Sequence, residues 1–589
     1  MKNKKPYKEW LLTNFKGGYC SQGTDARNLR RFHGLLVASK NLTRYNLLSH
    51  IEIIPQGVFQ ILETFPEVVY EIKGKSFTIE QRISFSPYKN AVSISFKLKT
   101  PKSLQILVRP FFQMRENHHL QKTPEFNFYK TGKFNVIEKK SLRCFFYPSC
   151  FFVVDRFIKE VEYCEDKIRD YEFKEKIFSP GFYRIDLKKG KNFSFYFCDE
   201  KIKKFFDFKK ERLESRKNFF KNFRYREKFF EKLLCASLDF DAGDEIVAGY
   251  PWFGAWGRDT MISIPGLLLY PGRIKKTQKI FKKASMSIRK GLLPNIFSDE
   301  KNPHFYNSVD ASLWFIWALS EYRRIVGFDD FLKSMKKTVA GIIKNYAKGT
   351  DFNIKMDVDG FIWAGKKGYA LTWMDAVYKG KAFTPRMGKP VEIQGLWFNA
   401  LKFARECGFY DTSEILEKIK NEFKKKFFIK ERGYLVDYID LKGRKNKLLR
   451  PNQIIALALM KELFTDEEIK NIIKVVRAKL FTPFGLRSLA PDERGYKKIY
   501  WGNLKKRDSA YHQGTVWSWL LMFYWQIEKP QKRKFLNTWE RHLEEAGLGC
   551  FSEIFDAERP FYPRGCMHQA WTVAALLYIS FLRRWITKR

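Results

Sequence analysis

KKFFDFKKERLESRKNFFKNFRYREKFFEKL (203–233) divides this sequence into two kinds of pattern. Its phenylalanines recur at helical spacing among charged residues, so the stretch predicts a connecting helix over 203–234. An amphipathic linker packed between domains explains it better than a membrane-surface helix. Upstream, short segments alternate at period two: GVFQILETF (57–65), VVYEIKGKSFTIEQRISFS (68–86), AVSISFKLKT (91–100), LQILVRPFFQM (104–114), FFVVDRFIKEVEYC (151–164), FYRIDLKKG (182–190) and NFSFYFC (192–198). Each is bounded by Gly, Pro, Asn or Lys, which predicts an antiparallel β-sandwich over 1–202. Downstream the period becomes helical, as in SVDASLWFIWALSEYRRIV (308–326), VEIQGLWFNALKFAREC (391–407), QIIALALMKELF (453–464), GTVWSWLLMFYWQI (514–527) and HQAWTVAALLYISFLRRW (568–585). About a dozen helices over 235–589 fit a helical toroid better than a small bundle. A chain of 589 residues is too long for one core, which agrees with this division.

Composition narrows the function. The formal net charge is +45, but Lys and Arg are spread along the whole chain. No zinc-finger spacing, RNA-binding sheet motif or basic heptad accompanies them, so a solvated basic surface is expected rather than a nucleic-acid partner. The nine cysteines include no CxxC pair and read as reduced thiols of a cytoplasmic protein. No signal-peptide-like run opens the chain, and no stretch of about 18 apolar residues occurs, so no membrane span is expected. HExxH, GxSxG, phosphate-loop and EF-hand patterns are absent from the sequence, so neither a metal nor another cofactor is expected.

Fourteen of the 15 tryptophans follow residue 250. Many sit in loops beside charge: Trp252 and Trp256 next to Arg258 and Asp259, Trp363 near Asp359, Trp373 next to Asp375. Rings that stack on sugar faces, with carboxylates and Arg for the hydroxyls, give the composition of a carbohydrate site. Trp314, Trp317, Trp397 and Trp519 lie in apolar helical stripes and are expected to pack. Glycoside hydrolysis needs one carboxylic acid for the leaving oxygen and a second carboxylate on the other face of the sugar. Acids set in apolar or aromatic sequence are the candidates, because burial raises their pKa. They are Asp259, Asp310, Asp375, Glu392, Asp508 and Glu553. Asp310 and Asp508 also read as helix caps. His33 and His512 read more readily as structural histidines. These residues alone do not rank the six acids.

The motifs supply the ranking. AGYPWFGAWGRDTMISIPGLLL (248–269) resembles the signature of the amylo-α-1,6-glucosidase family, the glucosidase part of glycogen-debranching enzymes. GLLPNIFSDE (291–300), YNSVDASLWF (306–315), LTWMDA (371–376), TPRMGKPVEIQGLWFNAL (384–401), RPNQIIALAL (450–459), FTPFGLRSLAP (481–491), RDSAYHQGTVWSW (507–519) and SEIFDAERPFYPRGCMHQAWTVA (552–574) resemble it in the same order. TNFKGGYCSQGTDARNLRRFHGLLVAS (13–39) is similar to the opening of its bacterial and archaeal members. The resemblance implies an (α/α)6 barrel behind the β-sandwich and inverting hydrolysis of the glucose left on an α-1,6 branch of glycogen or a limit dextrin. It makes Asp375 the general acid and Glu553 the general base, with Glu392 the reserve candidate for the acid. Arg258 and Asp259 become the grip on the sugar hydroxyls, and Trp256 and Trp373 the stacking platforms. Asp310, Arg386, Glu392, Arg487, His512 and Gln569 become further subsite residues. The chain departs from the pattern at Ala255, where an acidic residue is common. Once the two domains are placed, no length remains for a glucanotransferase barrel. The alternatives are a glucoamylase-like or trehalase-like exo-hydrolase on the same toroid, a glycan-binding protein without activity, and a basic nucleic-acid binder.

Overall fold

The computed structural model describes residues 5–202, 205–297 and 304–588. The alternating segments form β1 (Glu9–Thr13), β2 (Tyr19–Gly23), β3 (Gly34–Lys40), β4 (Thr43–Ile54), β5 (Val58–Glu63), β6 (Val68–Lys73), β7 (Thr78–Phe85), β8 (Ala91–Thr100), β9 (Ser103–Glu116), β10 (Asn127–Thr131), β11 (Phe134–Lys139), β12 (Leu142–Tyr147), β13 (Phe152–Glu162), β14 (Lys174–Lys188) and β15 (Asn192–Cys198). They make a seven-stranded sheet, β1-β2-β3-β4-β9-β14-β13, and an eight-stranded sheet, β10-β11-β12-β15-β8-β7-β6-β5. The strand pairings are antiparallel throughout, as in β7 against β8 and β4 against β9. Period-two alternation turns one side chain in two inward. Ile79, Ile83, Ile94, Phe96, Ile106, Phe112 and Phe195 meet in one apolar core. A five-residue helix, α1 (Cys164–Ile168), interrupts the run between β13 and β14.

The connecting segment departs from expectation. It is two helices, α2 (Phe208–Phe220) and α3 (Lys228–Asp239), rather than one over 203–234. Phe223 and Arg224 pair with Thr587 and Lys588 as short strands, which breaks the helix between them. The two helices do different work. α2 lies over the β-domain, where buried Arg212 donates to the carbonyls of Thr13 (2.7 Å) and Phe85 (2.9 Å). α3 buries Phe229, Phe230, Leu233 and Leu234 in the helical core. Lys203 and Lys204, at the start of the expected linker, lie outside the described residues.

Twelve further helices lead on, α4 (Gly257–Ile264), α5 (Ile274–Met286), α6 (Ala311–Val326), α7 (Asp330–Ser334), α8 (Lys336–Lys348), α9 (Val391–Glu406), α10 (Ser413–Phe427), α11 (Asn452–Leu459), α12 (Asp466–Lys479), α13 (Leu504–Tyr511), α14 (Leu521–Ile527) and α15 (Lys532–His542), before the last, α16 (Ala570–Leu582). Burial sorts them. α4, α6, α9, α11, α14 and α16 are buried along most of their length. α5, α8, α10, α12 and α15 bury a single stripe and turn charged side chains, chiefly Lys, outward. A helix apolar on every side has to be surrounded by others, whereas a one-sided helix belongs on the surface. The contacts agree: α4 packs on α6, α6 on α9, α9 on α11, α11 on α14, α14 on α16, and α16 back on α4. The α9–α11 crossing is tight, because a Cβ on Gly395 would sit 2.7 Å from the Cα of Ala456.

Candidate active site

Trp256-Gly257-Arg258-Asp259 opens α4, so Arg258 and Asp259 occupy its first turn and are buried. α4 packs against α6, which brings Arg258 to Asp310 at the start of that helix. Arg258 donates to both Asp310 oxygens, at 2.8 and 2.9 Å, and to Asp375 Oδ2 at 2.9 Å. Arg258 and Asp310 side chains are 3% and 1% exposed, whereas Asp375 is 28% exposed, so the open end of this network is Asp375. Burial raises the Asp375 pKa above the usual carboxylate value although Arg258 opposes it.

Glu553 is held by neutral donors. Its Oε2 accepts the Cys566 N–H at 2.7 Å, and its Oε1 accepts the Tyr511 hydroxyl. Gly565 takes φ +67°, and a Cβ there would lie 2.3 Å from Glu553 Oε2, so only glycine leaves room for this carboxylate. Burial pushes the Glu553 pKa up to about 7, and the Asp375 charge pushes the same way. Tyr511, the Cys566 N–H and Arg169 pull it down. Asp259 is pushed up to about 8 by burial and by the charges of Glu553 and Asp375, against Arg258. Gln569 donates to Asp259 at 3.1 Å. Arg258, Asp259, Asp310, Asp375, Glu553 and Gln569 therefore converge on one site from α4, α6, α16 and two loops. Carboxyls whose surroundings hold protons near neutral pH are suited to acid–base work.

Other expected site residues lie elsewhere. Trp373 is not an open platform. It is 2% exposed, donates to Asn452 Oδ1 at 2.7 Å and meets His512, Trp517 and Trp519 edge-on at 5.2–5.3 Å. His512 stacks on Trp517 at 5.2 Å, and its ring nitrogens have no hydrogen-bond partner among the described residues. Burial takes its pKa well below the ordinary histidine value, so it packs as a neutral ring rather than serving a subsite. Arg386 and Glu392 do come together, but in a second, sealed network. Arg386 binds both Glu392 oxygens and reaches Asp437 at 2.9 and 3.0 Å. That occupies the Glu392 carboxylate and removes it as a reserve acid. Arg487 donates to the carbonyls of Ala557 (2.9 Å) and Lys479 (3.3 Å), so it ties loops together. Trp256 remains half-buried and lines a cleft of about 320 Å³ with Trp252, Phe253, Ala255 and Phe297.

Of the two cap expectations, Asp310 holds the N-cap position of α6 without a capping side-chain bond, and Asp508 is not a cap. Ser308 caps the Ala311 N–H at 3.1 Å while the Asp310 side chain turns to Arg258. Asp508 lies within α13, whose cap is Asn503, and burial pushes its pKa up to about 6. Tyr511, and the supporting residues Asn452 and Asp437 behind Trp373, are what the sequence reading missed. Tyr511 was within reach, since it stands beside His512 in a motif already singled out. Asn452 and Asp437 support the Asp375 loop through Trp373, a link with no local signature: Asp437 accepts from Asn452 at 2.7 Å.

Comparison with known proteins gives the fold and the family. The fold is glucoamylase-like: a bacterial glucoamylase solved with acarbose superposes with a TM-score of 0.64 at 10% identity, covering 99% of this chain and 96% of that one. Residues 229–578 match the amylo-alpha-1,6-glucosidase family model, and residues 8–57 and 58–194 match the model described as the glycogen debranching enzyme N terminal. The chain belongs to the amylo-alpha-1,6-glucosidase family, a family of glycoside hydrolases. It is similar to the glycogen debranching enzyme of Saccharomyces cerevisiae, with 27% identity over 380 residues. That match takes in 47% of this chain and 25% of the yeast protein, so the chain spans about a quarter of that relative's length. No described helix is long and apolar enough to cross a membrane.

Proposed function

We propose that this protein hydrolyses the single α-1,6-linked glucose of a trimmed branch in glycogen or a related α-glucan, with inversion at the anomeric carbon. The observation that carries the proposal is the convergence of Asp375 and Glu553, held by different donors, around Arg258 and Asp259. Asp375, the open member of its network, gives its proton to the glycosidic oxygen as the carbon–oxygen bond breaks. Glu553 takes a proton from water as the water oxygen bonds to the anomeric carbon from the opposite face. The products are β-glucose and the debranched chain, and solvent restores both carboxyl groups. Arg258 and Asp259 bind hydroxyls of the glucose, and Trp256 offers a face to a neighbouring sugar.

The closed cycle of six buried helices supports reading the helical domain as an (α/α)6 toroid with the one-sided helices outside. The division at 202 and 234 is retained as a proposal, with α3 counted with the toroid that buries it. Free cysteines throughout fit a reducing, cytoplasmic setting. The test is glucose release from an α-1,6-branched limit dextrin, from maltose and from trehalose, with proton NMR of the first-formed anomer. Preference for the dextrin with β-glucose released supports the assignment. Preference for maltose or trehalose, or release of α-glucose, refutes it.

A further inference from the structure

One cation beside Ser552 and Gly565, the neighbours of Glu553, does not come from the helical domain. Arg169 ends α1, the short helix between β13 and β14 of the β-domain. That helix is docked from both sides. The Arg31 N–H donates to Asp166 at 2.6 Å within the β-domain. Arg507, from α13, donates to the Arg169 carbonyl at 3.0 Å and lays its guanidinium over Tyr171 at 5.0 Å. The Arg169 guanidinium itself lies 5.2 Å over the Trp252 ring, a few residues before Arg258. It forms no ion pair with a described residue. It shares a cavity of about 50 Å³ with Glu165, Tyr500, Ser552, Arg564 and Gly565, two of which flank Glu553 or its Gly565 contact.

A half-buried arginine without a carboxylate partner is costly, because desolvation is not repaid by an ion pair. Burial and the cations Arg30 and Arg507 lower its pKa, and Tyr500 and Glu165 only partly oppose them. We propose that Arg169 is a positioning residue for Glu553, and that the β-domain thereby completes the electrostatics of a site built otherwise on the helical domain. The inference rests on Glu553 being the base. The groups that face Glu553 are Tyr511 from α13, the Cys566 N–H and thiol, Tyr500, Asp375, Asp259 on α4 and Arg169. Among the largest influences that favour the ionised carboxylate, Arg169 carries a full positive charge, whereas Tyr511 and the Cys566 N–H act as neutral donors.

The test is the pH profile of kcat/KM for Arg169→Gln and Arg169→Lys in the full chain, on the branched dextrin. Arg169→Gln moves the acidic limb up by about one pH unit, so the loss is about tenfold at the foot of the limb and small above it. Arg169→Lys keeps the limb in place. If Arg169→Gln does not fold, Arg169→Met keeps the stem on Trp252 and carries the same test. An unmoved limb, whether activity is intact or equally reduced at every pH, overturns the inference. Glu553→Gln is measured alongside. If it is inactive at all pH values while the Arg169→Gln limb stays put, only the Arg169 inference falls. If it retains the wild-type limb, the base assignment itself falls and takes the inference with it.

Discussion

Two buried arginines in this protein each hold two carboxylates, and only one of the sets is open. Arg258 joins Asp310 and Asp375; Arg386 joins Glu392 and Asp437. In the second set both carboxylates are 1% exposed. In the first, Asp310 is equally sealed, but Asp375 is 28% exposed. The same ionic chemistry thus serves two ends. A sealed Arg with two acids fixes loops, and here it reaches the Asp375 loop through Asp437, Asn452 and Trp373. An Arg with one acid left open holds a carboxylate that stays partly exposed.

The largest expected effect tests the open set against the sealed one. Asp375→Asn and Glu553→Gln each reduce turnover by at least about 10²–10⁴-fold while oligosaccharide binding persists. Steady-state kinetics with calorimetric binding checks this, and near-normal turnover in either variant removes that residue's role. Arg386→Met attacks the sealed set instead. It strands Glu392 without its cation and leaves Asp437 only Arg450, 3.4 Å away, at a cost of about 3–5 kcal/mol in stability. Denaturant unfolding reads that loss, and an unchanged midpoint would show that the two networks do not differ in kind.

A smaller effect concerns Glu553. Tyr511→Phe removes a donor to its charged form, so the acidic limb of kcat/KM moves up by about one pH unit. A profile that only drops, without moving, would deny Tyr511 this role. A further effect is on stability against pH. Glu553 and Asp259 hold protons more tightly folded than unfolded, with values of about 7 and about 8. The unfolded chain therefore loses these protons first, and their contribution declines as pH rises from about 4 to 8. Glu553→Gln removes the Glu553 share. It is expected to be more stable than the wild type at pH 8 by about 1–3 kcal/mol and indistinguishable from it at pH 4. Equal stability at both pH values would show that Glu553 is not destabilised by its burial.

Much of the architecture was legible in the residues. Period-two segments became two antiparallel sheets because alternation leaves each strand one apolar face to bury. The helices apolar all round became the inner cycle. The connecting segment was misread because Phe229, Phe230, Leu233 and Leu234 look like part of the preceding amphipathic run, and only the core they enter separates α3 from α2. Trp373 was misread for a related reason. A tryptophan beside an acid in a loop looks the same in sequence whether its ring faces a sugar or three other rings.

The sequence by itself determined the two patterns, the order of the motifs and the supply of acids, arginines and rings, since these follow from residue type and spacing. Tertiary structure decided which acids work together. Arg258 and Asp375 are 117 residues apart, and Tyr511 and Glu553 are 42 apart. It also decided which arginine is sealed, which carboxylate is open, and that Arg169 of the β-domain lines one cavity with Ser552 and Gly565. Exposure and charge proximity are properties of surfaces brought together by folding, and no local pattern of residues encodes them.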